Sequence, residues 1–198
     1  MCFGCSNTFG QGVSDSDAWP YLLSGLAQIP VINLGQPGVG WGFNWVNSVR
    51  IIQAGIRPRA VVYYWPHPGR MFTFPDPDDL NLVIAHGPWA IQNANPMTDR
   101  PDLKMGALWA QDLVLSTFWS KQYKISLDIM WGQLKIPVLH TTWDSKLMIE
   151  NVEVIEFLNH SQNNLDLRSR DIIHPGVKDH EFIAQEIYSR LIASDPSL

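Results

Sequence analysis

The sequence predicts an α/β domain in which helices cover both faces of a parallel β-sheet. Short continuous apolar runs, typical of strands buried on both faces, alternate along the chain with segments of helical spacing. Strands that alternate with helices in this way form parallel sheets. Since no repeat and no shift in composition marks a boundary, residues 1–198 are predicted to form one three-layer α/β/α domain.

Five strands are predicted from the apolar runs. The first is short and ends just before Ser6, and the proline of the fourth lies near its start, where it costs least. After the first strand, the others are predicted over residues 31–34, 60–65, 136–142 and 152–158.

Helices are predicted over residues 17–28, 43–54, 103–134 and 178–193. Asp17 is the predicted N-cap of the first helix, and Pro20 is tolerated only because it falls in the first turn. The pattern of the third helix weakens near residues 121–124, where a break would fall.

Residues 66–101 are rich in proline, aspartate, asparagine and glycine and have little periodicity. We interpret this stretch as a loop-rich insertion. Because loops of this length are usually functional, we expect it to shape a ligand cleft.

Composition and charge exclude several classes of protein. The net charge is -5 and no cluster of lysine and arginine occurs, so a nucleic-acid interface is not predicted. No apolar stretch approaches the roughly 20 residues that span a bilayer. No signal peptide is recognised, which predicts a soluble cytoplasmic protein by default. Only five residues precede Ser6, so either the fold tolerates a short first strand or the natural chain starts earlier.

Cys2 and Cys5 form a C-x-x-C pair, a spacing found in redox motifs and in zinc sites. No further cysteine or nearby histidine completes a zinc site, and the residues that follow are typical of a turn. We interpret both cysteines as small packing residues. The histidines also lack metal-ligand spacing with carboxylates, so neither a metal nor a cofactor is predicted. Asp15 and Asp17 are interpreted as solvated acids at a helix start rather than as a catalytic pair.

The predicted chemistry depends on one residue near each end of the chain. Ser6 follows the first strand, at the edge of a parallel sheet where ligands bind. A serine hydroxyl becomes a nucleophile when a base takes its proton and a carboxylate orients that base. We predict Ser6 as nucleophile, His174 as base and Asp171 as its orienting group, with the backbone N–H groups of Ser6 and Gly38 as an oxyanion hole. Taken singly, Ser6 could be a turn residue and the Asp-x-x-His motif a helix start.

Three stretches resemble sequence blocks of the SGNH (GDSL-type) hydrolase family. Residues 4–10 (GCSNTFG) resemble the first block, with Cys5 where aspartate is commoner. Residues 33–38 (NLGQPG) resemble the second block, whose last glycine donates to the oxyanion, and residues 170–176 (RDIIHPG) the last, which completes the triad. The blocks fall in family order and span nearly the whole chain.

The resemblance implies a flavodoxin-like sandwich whose five parallel strands have the order 2-1-3-4-5. It also implies a serine ester hydrolase that acts through an acyl-enzyme. The predicted substrate is a small acyl ester, with an O-acetylated carbohydrate as one candidate. Acyl transfer to an alcohol through the same triad is an alternative. The oligomeric state is not predicted.

One block departs from the family pattern. The third block, Gly-x-Asn-Asp, supplies an asparagine amide to the oxyanion, whereas residues 64–70 read YWPHPGR. His67 falls about where the asparagine should be, and we predict that its ring N–H donates instead, with Arg70 supplying charge. In the alternative, His67 is a loop residue and one donor is missing, at a cost of about 3 kcal/mol in the transition state. A degenerate member that binds carbohydrate or assembles with partners therefore stays open.

Nine tryptophans are many for this length. Trp41, Trp65 and Trp143 each fall near the predicted rim of the site, where flat rings can line a pocket for a sugar or acyl group. We predict Trp41, Trp65 and Arg70 as substrate-binding residues. Packing in the core is the alternative for the tryptophans.

Overall fold

A parallel four-stranded sheet lies at the centre of the molecule. The computed structural model describes residues 1–73, 84–86, 112–145, 147, 149–157, 169 and 174–195. Its strands are β1 (Cys2–Gly4), β2 (Val61–Trp65), β3 (Met71–Thr73), β4 (Ile84–His86), β5 (Val138–Thr142) and β6 (Glu153–Val154). The parallel sheet has the order β1-β2-β5-β6, and β3 and β4 form a separate antiparallel pair.

The predicted parallel α/β architecture is confirmed, with four strands among the described residues instead of the predicted five. In place of the second predicted strand, a single parallel bridge joins Asn33 to Cys2. The Cys2 N–H donates to the carbonyl of Ile32 at 2.9 Å, and the N–H of Leu34 donates to that of Cys2 at 2.8 Å. Because this bridge lies beside β1, the predicted order survives with its edge strand reduced to one pairing. The segment lies at the edge of the sheet with Ile32 half exposed, so little burial holds it there.

Helices occupy both faces of the sheet. They are α1 (Ser6–Phe9), a 3₁₀ helix (Asp15–Asp17), α2 (Trp19–Ala27), α3 (Trp41–Gln53), α4 (Leu113–Gln133) and α5 (Val177–Ser194). Two sequence predictions are wrong here. Ala18, not Asp17, precedes α2, because Asp17 belongs to the 3₁₀ helix. The break predicted near residues 121–124 is absent, because α4 is continuous from Leu113 to Gln133. Within it, buried Lys124 pairs with Asp128 one turn further on, 2.8 Å away.

Asp112 begins α4. Its Oδ1 accepts the N–H of Leu115 at 3.0 Å, which satisfies one of the free donors of the first turn. Residues 103–111, which were predicted to be helical, lie outside the described residues. None of the described helices has the length and apolar character needed to cross a membrane.

Alternate residues of β2 pack on opposite faces of the sheet, as the period of a strand requires. Val62 and Tyr64 face α2 and α5, where they pack with Trp19, Leu23, Ile183 and Ile187. Val61, Tyr63 and Trp65 face α3 and α4, where they pack with Phe3, Trp41, Leu127 and Trp131. Cys2 and Cys5 are buried free thiols, as expected of packing residues: Cys2 packs on the α2 and α5 side of the sheet, and Cys5 packs in a small cluster with Val39 and Phe43.

The insertion is not entirely loop. The strands β3 and β4 pair in antiparallel register inside it, from Met71 opposite His86 to Thr73 opposite Ile84. Lack of periodicity could not reveal strands of three residues. The remaining residues of the insertion beyond Thr73 lie outside the described part of the chain.

Candidate functional site

Ser6 is the first residue of α1 and lies directly after β1, at the carboxyl edge of the sheet. Cys5 makes the turn between them, and its carbonyl accepts the N–H groups of Thr8 and Phe9 at 3.0 and 2.9 Å. The Ser6 hydroxyl lies 3.9 Å from the Cys5 sulfur, and only 3% of the serine is exposed. The turn therefore holds Ser6 in one place at the edge where ligands of such sheets bind.

The glycine-rich loop before α3 is attached to this turn. The N–H of Gln36 donates to the carbonyl of Gly4 at 3.2 Å, and the Asn33 amide donates to the carbonyl of Thr8 at 2.9 Å. Cys5 also packs against Val39 in a small apolar cluster. The loop that contains Gly38 therefore runs beside the turn that presents Ser6.

Gly38 has a backbone conformation that favours glycine, with φ +81°. Two residues later, Gly40 lies so close to the carbonyl oxygen of Arg70 that a Cβ there would be 1.8 Å from it. The start of α3 and the segment after β2 are thus in direct backbone contact.

His174 lies just before α5, and its carbonyl accepts the N–H of Ser169 at 3.3 Å. It is close enough to His180 to affect that residue electrostatically, as is Asp17 of the 3₁₀ helix. The start of α5 is therefore near the segment that follows α1. Asp171 lies outside the described residues, so the triad stays a prediction.

His180 is fully buried beside the start of α2, where its Nδ1 accepts the N–H of Trp19 at 3.1 Å. Burial lowers the pKa of His180 to about 4, while Asp17 opposes the shift and His174 adds to it. The imidazole is therefore neutral near pH 7. Sequence spacing placed His180 on the last helix but could not reveal this contact.

His67 lies between the loops that follow β2 and β5. Its Nδ1 accepts the N–H of Gly69 at 3.0 Å, and its Nε2 lies 3.9 Å from Oδ2 of Asp144. Both ring nitrogens thus face partners in the loops after β2 and β5. His67 leaves the same sheet edge as Ser6, since Gly4 pairs with Tyr64, and its role as an oxyanion donor stays a prediction.

A cleft of about 80 Å³ opens between the start of α3, the loop after β2 and the first half of α4. Aromatic rings and hydroxyl groups dominate its lining, with one guanidinium. The lining residues are Trp41, Gly42, Pro68, Arg70, Ser116, Trp119, Ser120 and Tyr123. Trp41 and Arg70, which were predicted to bind substrate, both line this cleft, and their role stays a prediction.

Trp65 does not line this cleft. It is fully buried and stacks directly behind Trp41, with ring centroids 3.9 Å apart and planes 4° from parallel. Trp65, which was predicted to bind substrate, therefore lies beneath Trp41 and outside the lining of the cleft. Trp143 packs against Phe157 on the opposite face of the sheet, with ring centroids 6.0 Å apart. Because strand residues alternate between faces, a tryptophan at a strand end can point to either side.

Comparison with solved structures finds the same fold in known proteins. An acetyl xylan esterase from the rumen bacterium Butyrivibrio proteoclasticus is 15% identical over 98% of this chain, with a TM-score of 0.53, and the match covers 62% of the esterase. A member of the lipolytic protein G-D-S-L family from Veillonella parvula is 13% identical over 96% of this chain and 97% of that one, with a TM-score of 0.51. The chain has the fold of the GDSL lipolytic proteins. Sequence comparison with family models and with curated proteins finds no match.

Within this GDSL-type fold, a group of hydrogen-bonded side chains centred on His140 lies beneath the cleft. His140 of β5 is buried, and its Nε2 lies 2.8 Å from Oδ1 of Asp128, on α4. Its Nδ1 accepts the indole N–H of Trp65 at 3.0 Å. Sequence reasoning missed this site because its members lie on three elements that only the fold brings together. Among the described residues, no group of three or more histidine, cysteine, aspartate or glutamate side chains could hold a metal ion.

Proposed function

We propose that this protein is a serine hydrolase that cleaves a small acyl ester through an acyl-enzyme, with Ser6 as nucleophile. The position of Ser6 carries the proposal. It begins a helix directly after the first parallel strand, and the loop containing Gly38 is hydrogen-bonded alongside. The GDSL-type fold supports this reading, since the two neighbours are described as an esterase and as a lipolytic protein.

In the proposed reaction, His174 takes the hydroxyl proton of Ser6 as Oγ attacks the ester carbonyl carbon. Asp171 orients the imidazole and stabilises its positive charge. His174 then gives the proton to the departing alcohol, which leaves an acyl group on Ser6. Water attacks this ester with His174 again as base, releasing the acid and restoring the serine.

The backbone N–H groups of Ser6 and Gly38 are the proposed oxyanion donors. The left-handed conformation of Gly38 and the hydrogen bond between Gln36 and Gly4 support this role, because both set how the loop faces the turn. Because the ring nitrogens of His67 face Gly69 and Asp144, we expect two oxyanion donors, both from the backbone, rather than three. A missing donor typically costs about 10²–10³ in kcat, so turnover would be slow.

For the alcohol part of the substrate we propose a sugar, bound in the cleft beside Trp41. Indole and phenol rings pack against the C–H faces of sugars, while guanidinium and hydroxyl groups bind sugar hydroxyls. The cleft offers both kinds of group: Trp119, Tyr123, Ser116 and Ser120 lie on α4, and Arg70 lies in the loop after β2. None of the described residues that line the cleft has a long aliphatic side chain.

The test compares hydrolysis of p-nitrophenyl acetate and of acetylated xylo-oligosaccharides by wild type, Ser6→Ala, His174→Gln and Asp171→Asn. We expect Ser6→Ala to abolish turnover and a serine-directed phosphonate to label Ser6 in wild type alone. Ser189→Ala, on an exposed turn of α5, is the matched control and should keep full activity. Undiminished turnover in Ser6→Ala would refute the proposal.

A second candidate is a carbohydrate-binding protein without turnover, which the orientation of His67 favours. In that case the phosphonate would label nothing, while calorimetry would detect binding of the unacetylated oligosaccharide. Labelling of Ser6 decides for the hydrolase.

A further inference from the structure

A continuous chain of hydrogen-bonded side chains links α4 to Trp65, whose ring lies beneath Trp41. Lys124 Nζ lies 2.8 Å from Oδ2 of Asp128, whose other oxygen lies 2.8 Å from Nε2 of His140. His140 Nδ1 in turn accepts the indole N–H of Trp65 at 3.0 Å. Lys124 and His140 are buried, whereas Asp128 is partly exposed. The chain therefore joins α4, β5 and β2.

The hydrogen-bonding capacities of these groups determine where the imidazole proton lies. An indole nitrogen can only donate, so Nδ1 of His140 must be the acceptor. The ring proton is then on Nε2, where Asp128 accepts it. Burial lowers the pKa of His140, with Asp128 opposing the shift and Lys124 adding to it. A protonated imidazole would direct an N–H at the indole N–H of Trp65, so the contact requires the neutral ring.

Trp65 carries this restraint to the cleft. Its ring is clamped between Tyr63, with centroids 4.5 Å apart, and Trp41, with centroids 3.9 Å apart. Stacked rings fix the separation of their planes but resist sliding only weakly. The hydrogen bond to His140 holds the edge of Trp65, and a bond of 2.9 Å from the Trp41 indole to the carbonyl of Pro66 holds the next ring. Trp41 is one of three aromatic residues that line the cleft, and 1% of its surface is exposed.

Simple core packing does not account for this arrangement. Burying an imidazole, an ammonium and part of a carboxylate costs free energy that well-packed apolar side chains would avoid. What such a network supplies is one specific arrangement of the groups attached to it. Here the attached group is the stack of Trp65 on Trp41.

We propose that His140 and Asp128 are positioning residues for the substrate cleft, acting through Trp65 on Trp41. This rests on the proposed function, because it assumes that the substrate binds against Trp41. The pair acts on substrate affinity and leaves the bond-making steps at Ser6 unaffected. Among the described residues, the titratable groups that face His140 are Asp128 and Lys124 from α4 and Tyr63 from β2.

The kinetic test compares two substitutions of His140. His140→Leu removes the acceptor, whereas Asn at this position can present an oxygen where Nδ1 lies. We expect His140→Leu to raise KM about tenfold with kcat within about threefold of wild type, as loss of one buried hydrogen bond predicts. His140→Asn should stay within about threefold of the wild-type KM. Asp128→Asn should fall between them, and Asp15→Asn, an exposed aspartate remote from the cleft, should match wild type.

A second measurement does not depend on turnover. The indole N–H of Trp65, assigned in ¹H–¹⁵N spectra by its loss in Trp65→Phe, should exchange slowly in wild type and in His140→Asn. It should exchange faster in His140→Leu. If His140→Leu does not fold, acidification of wild type serves instead, because protonated His140 should displace the Trp65 resonance before global unfolding.

The possible outcomes distinguish a failure of the positioning role of His140 and Asp128 from a failure of the proposed hydrolase function. No Ser6-dependent turnover in wild type refutes the hydrolase and the substrate role of the pair together. Turnover with an unchanged KM in His140→Leu refutes the positioning role alone. An equal fall in kcat and kcat/KM, with KM constant, would also overturn it, as would an unaltered Trp65 indole resonance in His140→Leu or at low pH.

Discussion

The side-chain amide of Asn33 donates to the backbone carbonyl of Thr8 at 2.9 Å, and so joins the loop that contains Gly38 to the helix that begins at Ser6. The Oδ1 atom of Asn33 meanwhile accepts the N–H of Gly35 at 2.9 Å. Asn33 therefore adds side-chain hydrogen bonds to the contacts that hold the loop of the proposed oxyanion glycine beside the proposed nucleophile.

Replacing Asn33 by alanine should reduce ester hydrolysis more than it reduces stability. We expect a loss of about 1 kcal/mol in the free energy of unfolding from the missing hydrogen bonds. We expect kcat to fall about tenfold or more, since small misplacements of catalytic groups are costly. Urea unfolding and steady-state kinetics measure the two effects, with Gln53→Ala at the exposed end of α3 as control. Equal kcat in Asn33→Ala and wild type would contradict the coupling.

Alanine at Gly38 should damage the proposed oxyanion hole. The φ of +81° is unfavourable for any residue with a Cβ and costs about 1–2 kcal/mol. Relaxation of that strain should move the N–H, so kcat should fall while KM changes little. Gly55→Ala is the matched control, because Gly55 has φ +75° and open space around it but lies at the far end of α3. It should lose similar stability and no activity, and equal kinetic losses in both variants would argue against a role for Gly38.

Alanine at Gly40 should separate the start of α3 from the loop after β2. The new Cβ would meet the backbone oxygen of Arg70, which cannot rotate away. Overpacking of this kind costs about 1–3 kcal/mol, and it should also raise KM because Arg70 lines the cleft. Gly132→Ala is the control, because Gly132 has a helical position and nothing near its added Cβ. Its melting temperature should equal or exceed that of wild type, and its KM should be unchanged.

Removing the Trp119 ring should weaken binding of a saccharide ester without altering the chemistry. Trp119 is 42% exposed at the cleft, so its loss leaves the core intact. We expect a KM about fivefold higher for acetylated xylo-oligosaccharides and little change for p-nitrophenyl acetate, from loss of a stacking surface. Val114→Ala, on an exposed position of the same helix, is the control. Equal effects on both substrates would show that Trp119 does not contact the sugar.

The free energy of unfolding should fall as the pH drops from about 6.5 to about 4, in part because of His180. Its pKa is lowered from the ordinary value of 6.5 to about 4 in the folded chain, so the unfolded chain binds more protons between these values. The contribution of the neutral ring, about 3 kcal/mol, is therefore complete above pH 6.5 and lost progressively towards pH 4.

His180→Asn tests this assignment, because the amide oxygen can still accept the Trp19 N–H but does not titrate. Urea unfolding at pH 7 and pH 4.5 should show a smaller loss of stability in the variant than in wild type. The same pH dependence in both proteins would assign the acid sensitivity to other groups.

The sequence by itself determined the parallel α/β class and most element positions. The continuous apolar run of β2 and the helical spacing of α3 and α5 are local patterns, and burial on both faces of the sheet requires them. The placement of Ser6 at a strand end was equally predictable, since strand and turn are adjacent in the chain. The short helix α1 and the strands β3 and β4 were missed because elements of three or four residues have too few positions to show a period.

Only the tertiary structure decided which side chains meet. His67 turns to Asp144, and His140 to Asp128 and Trp65, across elements whose separation in sequence carries no pattern. Likewise, the sequence could place Trp41 and Trp65 near the rim, but not show that one covers the other. Contacts of this kind depend on which face each strand residue takes and on how helices cross the sheet. Local periodicity predicts only in part which face a strand residue takes, and it does not predict how the helices cross the sheet.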